Sequence, residues 1–429
     1  MSPVKGINVQ YIYSACVVTS TPDVRVLHDP WFTEGIYEGA WYHFPTVKDP
    51  LLSIGDVDII YISHIHPDHY DGAFLKSYFS RYGNKQIIIA DHSVNYLARK
   101  MTADGITPTI LNEPLIIGNT SIEIVPHRTG SISDVDSALI LRYQDEEKIH
   151  CVLNANDIIF TEDMRQQLKK IAGTIDILLC GFTGAGPFPQ TYFDISDPDL
   201  DIEAQKKKLS FFERYKTLTQ HMDAKINIPF AGKYILGGKL AILNQYRGVA
   251  DPVEILKFDT KAVVLADNGG EISTIDLIAK NTRVEPYSAE ALKEREDEIS
   301  SRLLDYERLI SADEIHQLPL KRLLVSASKN ATRKSECDID YHFCIQLPQG
   351  EFAVINANRH STTGISYTKN KNTLPMPRSE ILIDARYLFG LLTNVYHWNN
   401  AEIGSLFNVR RFPNILNRQA QAYLNFLAI

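Results

Sequence analysis

The stretch ISHIHPDHYDG, residues 62–72, decides the fold, because it places three histidines and two aspartates directly after the apolar run VDIIYI. Such a run, bounded by turn residues, is typical of a buried strand. Side chains alternate along a strand, so His64 and His66 are expected on one side of the strand end, with Asp68 and His69 in the turn that follows. Imidazole and carboxylate groups are the ligands of zinc, iron and manganese. The stretch therefore predicts a metal site at the end of a strand.

The composition is that of an ordinary globular protein, with 44% hydrophobic and 22% charged residues in 429. This length favours two or three domains. The net charge of -8 argues against a large basic surface for nucleic acid, although it leaves room for a local basic pocket. Five scattered cysteines without a CxxC motif predict a reduced, cytoplasmic chain. No apolar run is long enough to span a membrane.

Short β-branched and aromatic runs, several separated by helical patterns, extend to about residue 160. A helix is expected over TEDMRQQLKKIAG, closed by Gly173, and a long polar-faced helix follows near residue 200. A charged helical zone comes next, and the chain then returns to strands, beginning with KRLLVSAS. The predicted domains are a first domain at 1–277, a charged helical linker at 278–320 and a C-terminal α+β domain at 321–429.

The motif SHIHPDHYDG resembles the signature of the metallo-β-lactamase superfamily. Three further segments, HDPWF, GFTGAGPFPQTYF and IPFAGKYILGG, are similar to segments of one branch of it. That branch contains the nucleotide-sugar (CMP-sialic acid) hydroxylases, the ascorbate-lactone hydrolases and the N-acylphosphatidylethanolamine phospholipases. The resemblance implies an α/β fold, an αββα sandwich with a metal site at one edge, here followed by a C-terminal α+β appendage.

The resemblance also implies a set of metal ligands. These are His64, His66, Asp68, His69, His127 and Asp157. The family's last histidine has no counterpart near Lys233, so the site is expected to hold one or two divalent ions. Zinc is favoured, with iron or manganese as alternatives. Asp29 or Asp134 is a candidate to orient a ligating imidazole by a hydrogen bond.

Such a site predicts a hydrolase in which a metal-bound hydroxide attacks a phosphodiester, an amide or a lactone, with Asp68 orienting the water or accepting its proton. One alternative is an iron-dependent oxygenase that acts on a nucleotide sugar or a similar small molecule. The CxH and CxxH pairs of a Rieske centre do not occur in the sequence, so its electrons would come from an external donor. A non-catalytic binding or regulatory scaffold is the second alternative.

Three residues outside the motif are candidates for substrate binding, namely Trp31, His43 and Lys233. Aromatic core packing and simple solvation are the competing interpretations. Gly184 and Gly186 are expected in a loop near the metal. The expected partners are a small-molecule substrate and a second copy of the chain, together with a redox protein in the oxygenase case. A phosphorylated substrate is one candidate. The C-terminal domain is expected to shape the substrate entrance or a dimer contact.

Overall fold

The computed structural model describes residues 5–130, 134–362 and 364–429. The strands are β1 (Asn8–Tyr13), β2 (Cys16–Ser20), β3 (Arg25–His28), β4 (Trp41–Tyr42), β5 (Ile59–Tyr61), β6 (Gln86–Ala90), β7 (Thr109–Leu111), β8 (Leu115–Ile117), β9 (Thr120–Pro126), β10 (Ser137–Gln144), β11 (Ile149–Asn156), β12 (Ile177–Gly181), β13 (Ile226–Phe230), β14 (Ile235–Leu236), β15 (Gly270–Ser273), β16 (Ala279–Lys280), β17 (His342–Gln346), β18 (Phe352–Asn356), β19 (Ser366–Thr368), β20 (Arg378–Leu382) and β21 (Asn408–Phe412). The helices are α1 (Ile36–Gly39), α2 (Pro50–Ile54), α3 (Gly72–Tyr82), α4 (Tyr96–Ala103), α5 (Glu162–Ala172), α6 (Asp199–Met222), α7 (Ala289–Ser300), α8 (Asp305–Leu309), α9 (Leu320–Lys334), α10 (Ala385–Leu392), α11 (Trp398–Ile403) and α12 (Arg418–Leu424), and the longest 3₁₀ helix is Gly238–Tyr246.

Two sheets stack face to face in the first part of the chain. One has eight strands in the order β16-β15-β1-β2-β3-β5-β6-β7, and the other has six in the order β13-β12-β11-β10-β9-β8. A buried apolar cluster fills the space between them, with Val26 and Tyr61 from the first sheet and Leu141 and Leu179 from the second. Because alternate side chains of a strand point to opposite faces, each sheet also has an apolar outer face that must be covered.

Helices cover both outer faces. Leu75 of α3 and Met101 of α4 pack on the eight-stranded sheet. Leu168 of α5 and Tyr215 of α6 pack on the six-stranded sheet. The result is a helix–sheet–sheet–helix sandwich, and the αββα fold expected from the sequence is confirmed.

Helix α5 shows how the local sequence sets these elements. The side chain of Thr161 caps its start by accepting a hydrogen bond from the Met164 backbone N–H. Acidic residues occupy the first turn and lysines the last, which suits the helix dipole. The helix ends at Gly173, whose φ of 69° is a left-handed conformation that glycine adopts at little cost. The helix predicted over this segment is therefore observed.

The C-terminal segment forms a separate five-stranded sheet in the order β19-β18-β17-β20-β21, packed with helices α9 to α12. The prediction of a strand at KRLLVSAS is wrong, because these residues belong to helix α9. Its buried positions, Leu320, Leu324, Ala327 and Ala331, follow the three-to-four residue spacing of a helical face. The three predicted domain boundaries stay predictions.

One apolar cluster joins the C-terminal segment to the sandwich. It contains Trp31, Tyr37 and Trp41 from the segment after β3, and Tyr387 and Trp398 from helices α10 and α11. This packing holds the start of α11 against the side of the sandwich where the histidine motif lies. None of the helices in the described ranges combines the length and the apolar character needed to cross a membrane.

A buried histidine links the two sheets and gives a test of the packing between them. His28 on β3 is fully buried, its Nε2 lies 2.9 Å from Thr19 Oγ1, and its Nδ1 accepts from Asn154 Nδ2 on β11 at 3.2 Å. Burial lowers the pKa of His28 from 6.5 to about 3. The unfolded chain therefore takes up a proton at this residue below pH 6.5 while the folded chain does not, so acid favours unfolding.

We expect the free energy of unfolding of the wild type to fall, relative to that of His28→Gln, by about 1.4 kcal/mol per pH unit as the pH drops from 6.5 toward 3. Urea denaturation of both proteins between pH 7.5 and pH 5 measures this difference. His316→Gln, at an exposed position, is the control. Parallel pH profiles for the wild type and His28→Gln would contradict the buried neutral imidazole.

Candidate metal centre

The ends of four strands carry the polar side chains that the sequence singled out. His64, His66, Asp68 and His69 follow β5, and Asp29 follows β3 in the same sheet. On the facing sheet, His127 comes directly after β9, and Asp157 comes directly after β11. The strands themselves are buried, so the chemistry is confined to the rim of the sandwich.

Three of these side chains form a group in which one donor atom from each lies within 4.8 Å of the others, namely His64, His69 and Asp157. His69 Nε2 lies 3.3 Å from Asp157 Oδ2 and 3.4 Å from Asp68 Oδ2. The imidazole rings of His64 and His69 are 4.0 Å apart between centroids. The group combines two imidazoles with carboxylate oxygens, which is a donor set that zinc, iron and manganese accept.

Asp29 orients the imidazole of His69 by a hydrogen bond at Nδ1, the ring nitrogen that does not face Asp68 and Asp157. Its side chain is fully buried, and its Oδ2 accepts from His69 Nδ1 at 3.1 Å and from Asn156 Nδ2 at 2.9 Å. Its Oδ1 accepts from the Ser63 backbone N–H at 2.7 Å. His69 therefore carries its proton on Nδ1 and directs Nε2 toward Asp68 and Asp157. Of the two orienting residues considered from the sequence, Asp29 is the one within hydrogen-bond distance of a histidine.

The charges in the group are strongly coupled. Burial opposes the charged form of His69, but Asp68 and Asp157 raise the pKa of its imidazole well above the usual value. Burial would raise the pKa of Asp68, yet His69, His66 and the Tyr37 hydroxyl hold it well below its ordinary range. The imidazole of His69 and the carboxylates of Asp68 and Asp157 therefore attract one another electrostatically.

Burial, followed by the neighbouring imidazoles of His69 and His66, lowers the pKa of His64 well below 6.5. Its Nδ1 lies 3.0 Å from Ser63 Oγ. His64 is therefore neutral at physiological pH, and a neutral imidazole is the form that binds a metal ion.

His66 and His127 are placed at the edge of the group. The ring of His66 lies 4.6 Å from that of His64, and its Nε2 donates to Asn399 Oδ1 at 3.1 Å. His127 Nδ1 lies 3.6 Å from Asp134 Oδ1, and its Nε2 is buried and has no hydrogen-bond partner among the residues that the structure describes. An unpartnered buried nitrogen at this position is consistent with a missing ligand.

Two contacts to the centre come from residues that the sequence did not indicate. The hydroxyl of Tyr37 donates to Asp68 Oδ1 at 2.6 Å, and Asn399, which lies in α11, contacts His66. Asn399 is 333 residues away from His66 along the chain. No local pattern marks either residue, because their role depends on the packing of the C-terminal segment against the sandwich.

A cavity of about 530 Å³ opens beside the group. Asp68, Asn156 and Asp157 form one side of it, and its apolar wall consists of Ile158, Ile159, Phe160, Phe211 and Leu218. Gly184 also lines it, and a Cβ at this position would lie 1.8 Å from the ring of Phe211. The glycine therefore allows the loop after β12 to approach α6, as expected for a loop near the metal.

The three residues proposed for substrate binding from the sequence are buried and paired within the protein. Trp31 Nε1 donates to Thr33 O, and His43 Nδ1 lies 2.9 Å from Glu34 Oε1. Lys233 Nζ lies 2.6 Å from Asp267 Oδ1, so its charge is already balanced. None of the three lines the cavity described above. The buried and paired positions of these residues do not support contact with a substrate. Their role in substrate binding stays a prediction.

The fold and the strand-end motif define a class of protein. Residues 8–186 match the family model described as "Beta-lactamase superfamily domain". This match confirms, for residues 8–186, the resemblance to the metallo-β-lactamase superfamily that the histidine motif indicates.

Particular relatives are similar at low identity. A protein of Mycolicibacterium smegmatis named as a Rieske 2Fe-2S iron-sulfur protein is 25% identical over 243 residues, which are 54% of this chain and 44% of the relative. The cytidine monophosphate-N-acetylneuraminic acid hydroxylase of Danio rerio is 26% identical over 53% of this chain and 38% of its own length. The chain thus spans less than half the length of either relative. The solved isothiocyanate hydrolase from Delia radicum gut bacteria is 14% identical, with a TM-score of 0.45, covering 64% of this chain and 100% of that one.

Proposed function

We propose that the protein is a metal-dependent hydrolase of a phosphodiester, an amide or a lactone. The observation that carries the proposal is the convergence of His64, His69 and Asp157 beside a cavity of about 530 Å³, which Asp157 lines. Imidazole and carboxylate donors beside a cavity lined by both apolar and polar side chains are a common arrangement of a hydrolytic metal site.

We infer that Asp68, His66 and His127 complete the ligand set for one or two divalent ions. Asp68 Oδ2 is 3.4 Å from His69 Nε2, and the unpartnered Nε2 of His127 offers a further donor. Zinc fits these donors, and iron or manganese fits them as well. A divalent ion bound here supplies Lewis acidity, which lowers the pKa of water and stabilises negative charge on a phosphoryl or carbonyl oxygen.

Individual residues near the metal site have distinct roles in the proposed reaction. Asp68 is ionised at neutral pH because its pKa is held low, so its carboxylate can accept a proton from the attacking water. The hydrogen bond from Tyr37 to Oδ1 leaves Oδ2, the oxygen nearer His69 Nε2, to contact the ion or the attacking water. Asp29 keeps His69 in one tautomer and one orientation. The apolar side chains of Ile158, Phe160 and Leu218 line the same cavity as Asp68.

An iron-dependent oxygenase is the second candidate, and the names of the curated relatives favour it, since one of them is a hydroxylase of a nucleotide sugar. The present sequence lacks the CxH and CxxH pairs of a Rieske centre. We therefore infer that an oxygenase reaction in this protein would require an external electron donor. A cytoplasmic location and a homo-oligomeric state stay predictions.

Elemental analysis of the purified protein tests the proposal and separates the two candidates. We expect about one or two zinc ions per chain, chelator-sensitive hydrolysis of a chromogenic phosphodiester, amide or lactone, and recovery when zinc is added back. The variant carrying both His64→Ala and His66→Ala is the control for adventitious metal. Equal metal in both proteins would refute the site, and iron with substrate-dependent oxygen uptake would favour the oxygenase.

A further inference from the structure

Two cationic side chains, Lys207 and Arg247, have buried nitrogen atoms and no ion-pair partner among the described residues. Lys207 belongs to α6, and Arg247 directly follows the 3₁₀ helix Gly238–Tyr246. Lys207 Nζ, Arg247 Nε and Arg247 Nη1 are buried and have no hydrogen-bond partner within the described ranges. Neither side chain forms an ion pair in the part of the chain that the structure describes, and Arg247 is only 4% exposed. Buried cations are normally paired, because an uncompensated charge in a protein interior is strongly unfavourable.

The two cations share one location, because the segment after the 3₁₀ helix packs tightly on α6. A Cβ at Gly248 would lie 2.3 Å from the Ala204 carbonyl oxygen, and Ala204 is one helical turn before Lys207. Burial, and after it the like charge of Arg247, lowers the pKa of Lys207 to about 7. Arg247 also lowers the pKa of Glu296, although burial raises that pKa on balance, and no ion pair joins the two side chains. The two cations therefore repel each other, and no ion pair balances either of them among the described residues.

Helix α6 connects this pair to the cavity. Residues four, seven and eleven positions apart share one face of a helix, so Lys207 lies on the same face as Phe211, Arg214 and Leu218. Those three residues line the cavity that Asp68 and Asp157 border.

A second path runs from Arg247 through aromatic side chains. Arg247 Nη2 donates to the Tyr234 carbonyl oxygen at 2.7 Å, and its guanidinium lies 4.1 Å from the centroid of the Tyr234 ring. Tyr234 stacks on Trp41, whose ring is 4.5 Å from that of Tyr37, the residue that donates to Asp68. The Tyr234 hydroxyl is itself buried without a hydrogen-bond partner among the described residues. Lys207 Nζ, Arg247 Nε, Arg247 Nη1 and the Tyr234 hydroxyl thus all lack an acceptor among the described residues.

We propose that Lys207 and Arg247 form a binding site for an oxyanion, which the substrate carries as a phosphoryl or carboxylate group. The assignment of this oxyanion to the substrate rests on the proposed hydrolytic function, whereas the site itself does not. A guanidinium and an ammonium group together present several N–H donors and two positive charges, which match the oxygens and the charge of a phosphate monoester. The predicted substrate thus joins an anionic group to an apolar body that the cavity wall accommodates.

Calorimetric titration of inorganic phosphate into the chelator-treated full-length protein tests the site. We expect one phosphate per chain in the wild type and at least tenfold weaker binding to Lys207→Met. Lys208→Met is the matched control, because Lys208 is the next residue of α6 but pairs with Glu254 at 3.0 Å, and it should bind phosphate like the wild type. Titration with acetate distinguishes a phosphoryl group from a carboxylate group as the bound oxyanion. Tighter binding of acetate than of phosphate indicates a carboxylate group.

Thermal unfolding shows whether Lys207→Met is folded. Removing an uncompensated buried cation should raise the melting temperature of the phosphate-free protein, whereas phosphate should raise only that of the wild type. Absence of phosphate binding to the wild type, or equal binding to Lys207→Met, overturns the site. Metal content is measured on the protein as purified, before chelation. A wild type that contains no metal as purified but binds phosphate through Lys207 refutes the hydrolase and keeps the oxyanion site, and a wild type that contains metal as purified but binds no phosphate after chelation does the reverse.

Discussion

Replacing His69 with alanine is expected to remove the metal ion and with it the metal-dependent activity. His69 Nε2 lies between the carboxylates of Asp68 and Asp157, and Nδ1 contacts Asp29. The substitution removes one donor of the three-residue group and also the only imidazole that balances the buried charge of Asp29 in the described residues. We therefore also expect the free energy of unfolding of the chelator-treated protein to fall by about 3–5 kcal/mol, the usual loss when one partner of a buried pair is removed.

Elemental analysis, together with urea denaturation before and after chelation, measures both effects. His221→Ala is the matched control, because His221 lies in the last turn of α6 and does not belong to the three-residue group. The control should keep the metal content of the wild type. A His69→Ala protein that binds as much metal as the wild type would show that the ion is held elsewhere.

The sequence predicts the strand-end chemistry well because that chemistry is local. An apolar run followed by HxHxDH is sufficient to place His64 and His69 after a buried strand. The position of Asp157 near them is less local, since β5 and β11 belong to different sheets. Periodicity within a strand does not reveal which strand ends meet across a sandwich, so this proximity came from the family resemblance alone.

Other features depend on packing that no local pattern encodes. Asn399 reaches His66 because helix α11 docks on the sandwich, and Tyr37 reaches Asp68 from a short irregular helical turn. A lone lysine such as Lys233 gives no indication whether its partner is a substrate or Asp267. The misassigned strand at KRLLVSAS has a different cause. Eight residues are too few to distinguish the periods of strand and helix, and the full run from Leu320 to Ala331 shows the helical spacing.

The second large effect is expected when Asp29 is replaced. Its side chain does not line the cavity of about 530 Å³, but it accepts hydrogen bonds from three buried donors. Asp29→Ala leaves the Ser63 backbone N–H, His69 Nδ1–H and Asn156 Nδ2 without their buried acceptor. Each donor left unsatisfied destabilises the fold by about 1–3 kcal/mol. Asp29 also has a φ of 40°, a left-handed conformation that aspartate and asparagine tolerate better than alanine. The loss of the acceptor frees His69 to rotate, so metal affinity should fall by about 10–100-fold.

Two further variants separate orientation of His69 from general destabilisation. Asp71 is a comparably buried carboxylate that accepts from Thr33 and Phe74 and has no hydrogen bond or ion pair to a histidine among the described residues. Asp71→Ala should therefore destabilise the protein with little change in metal affinity. Asp29→Asn keeps the shape, the left-handed backbone and an acceptor for Ser63, and should recover part of the stability. It replaces the carboxylate charge that aligns His69, so metal affinity, measured by competition with a chromogenic chelator, should stay below that of the wild type. If Asp29→Ala and Asp71→Ala bind metal equally well, Asp29 has only a structural role, because the His69 imidazole is then held by its other contacts.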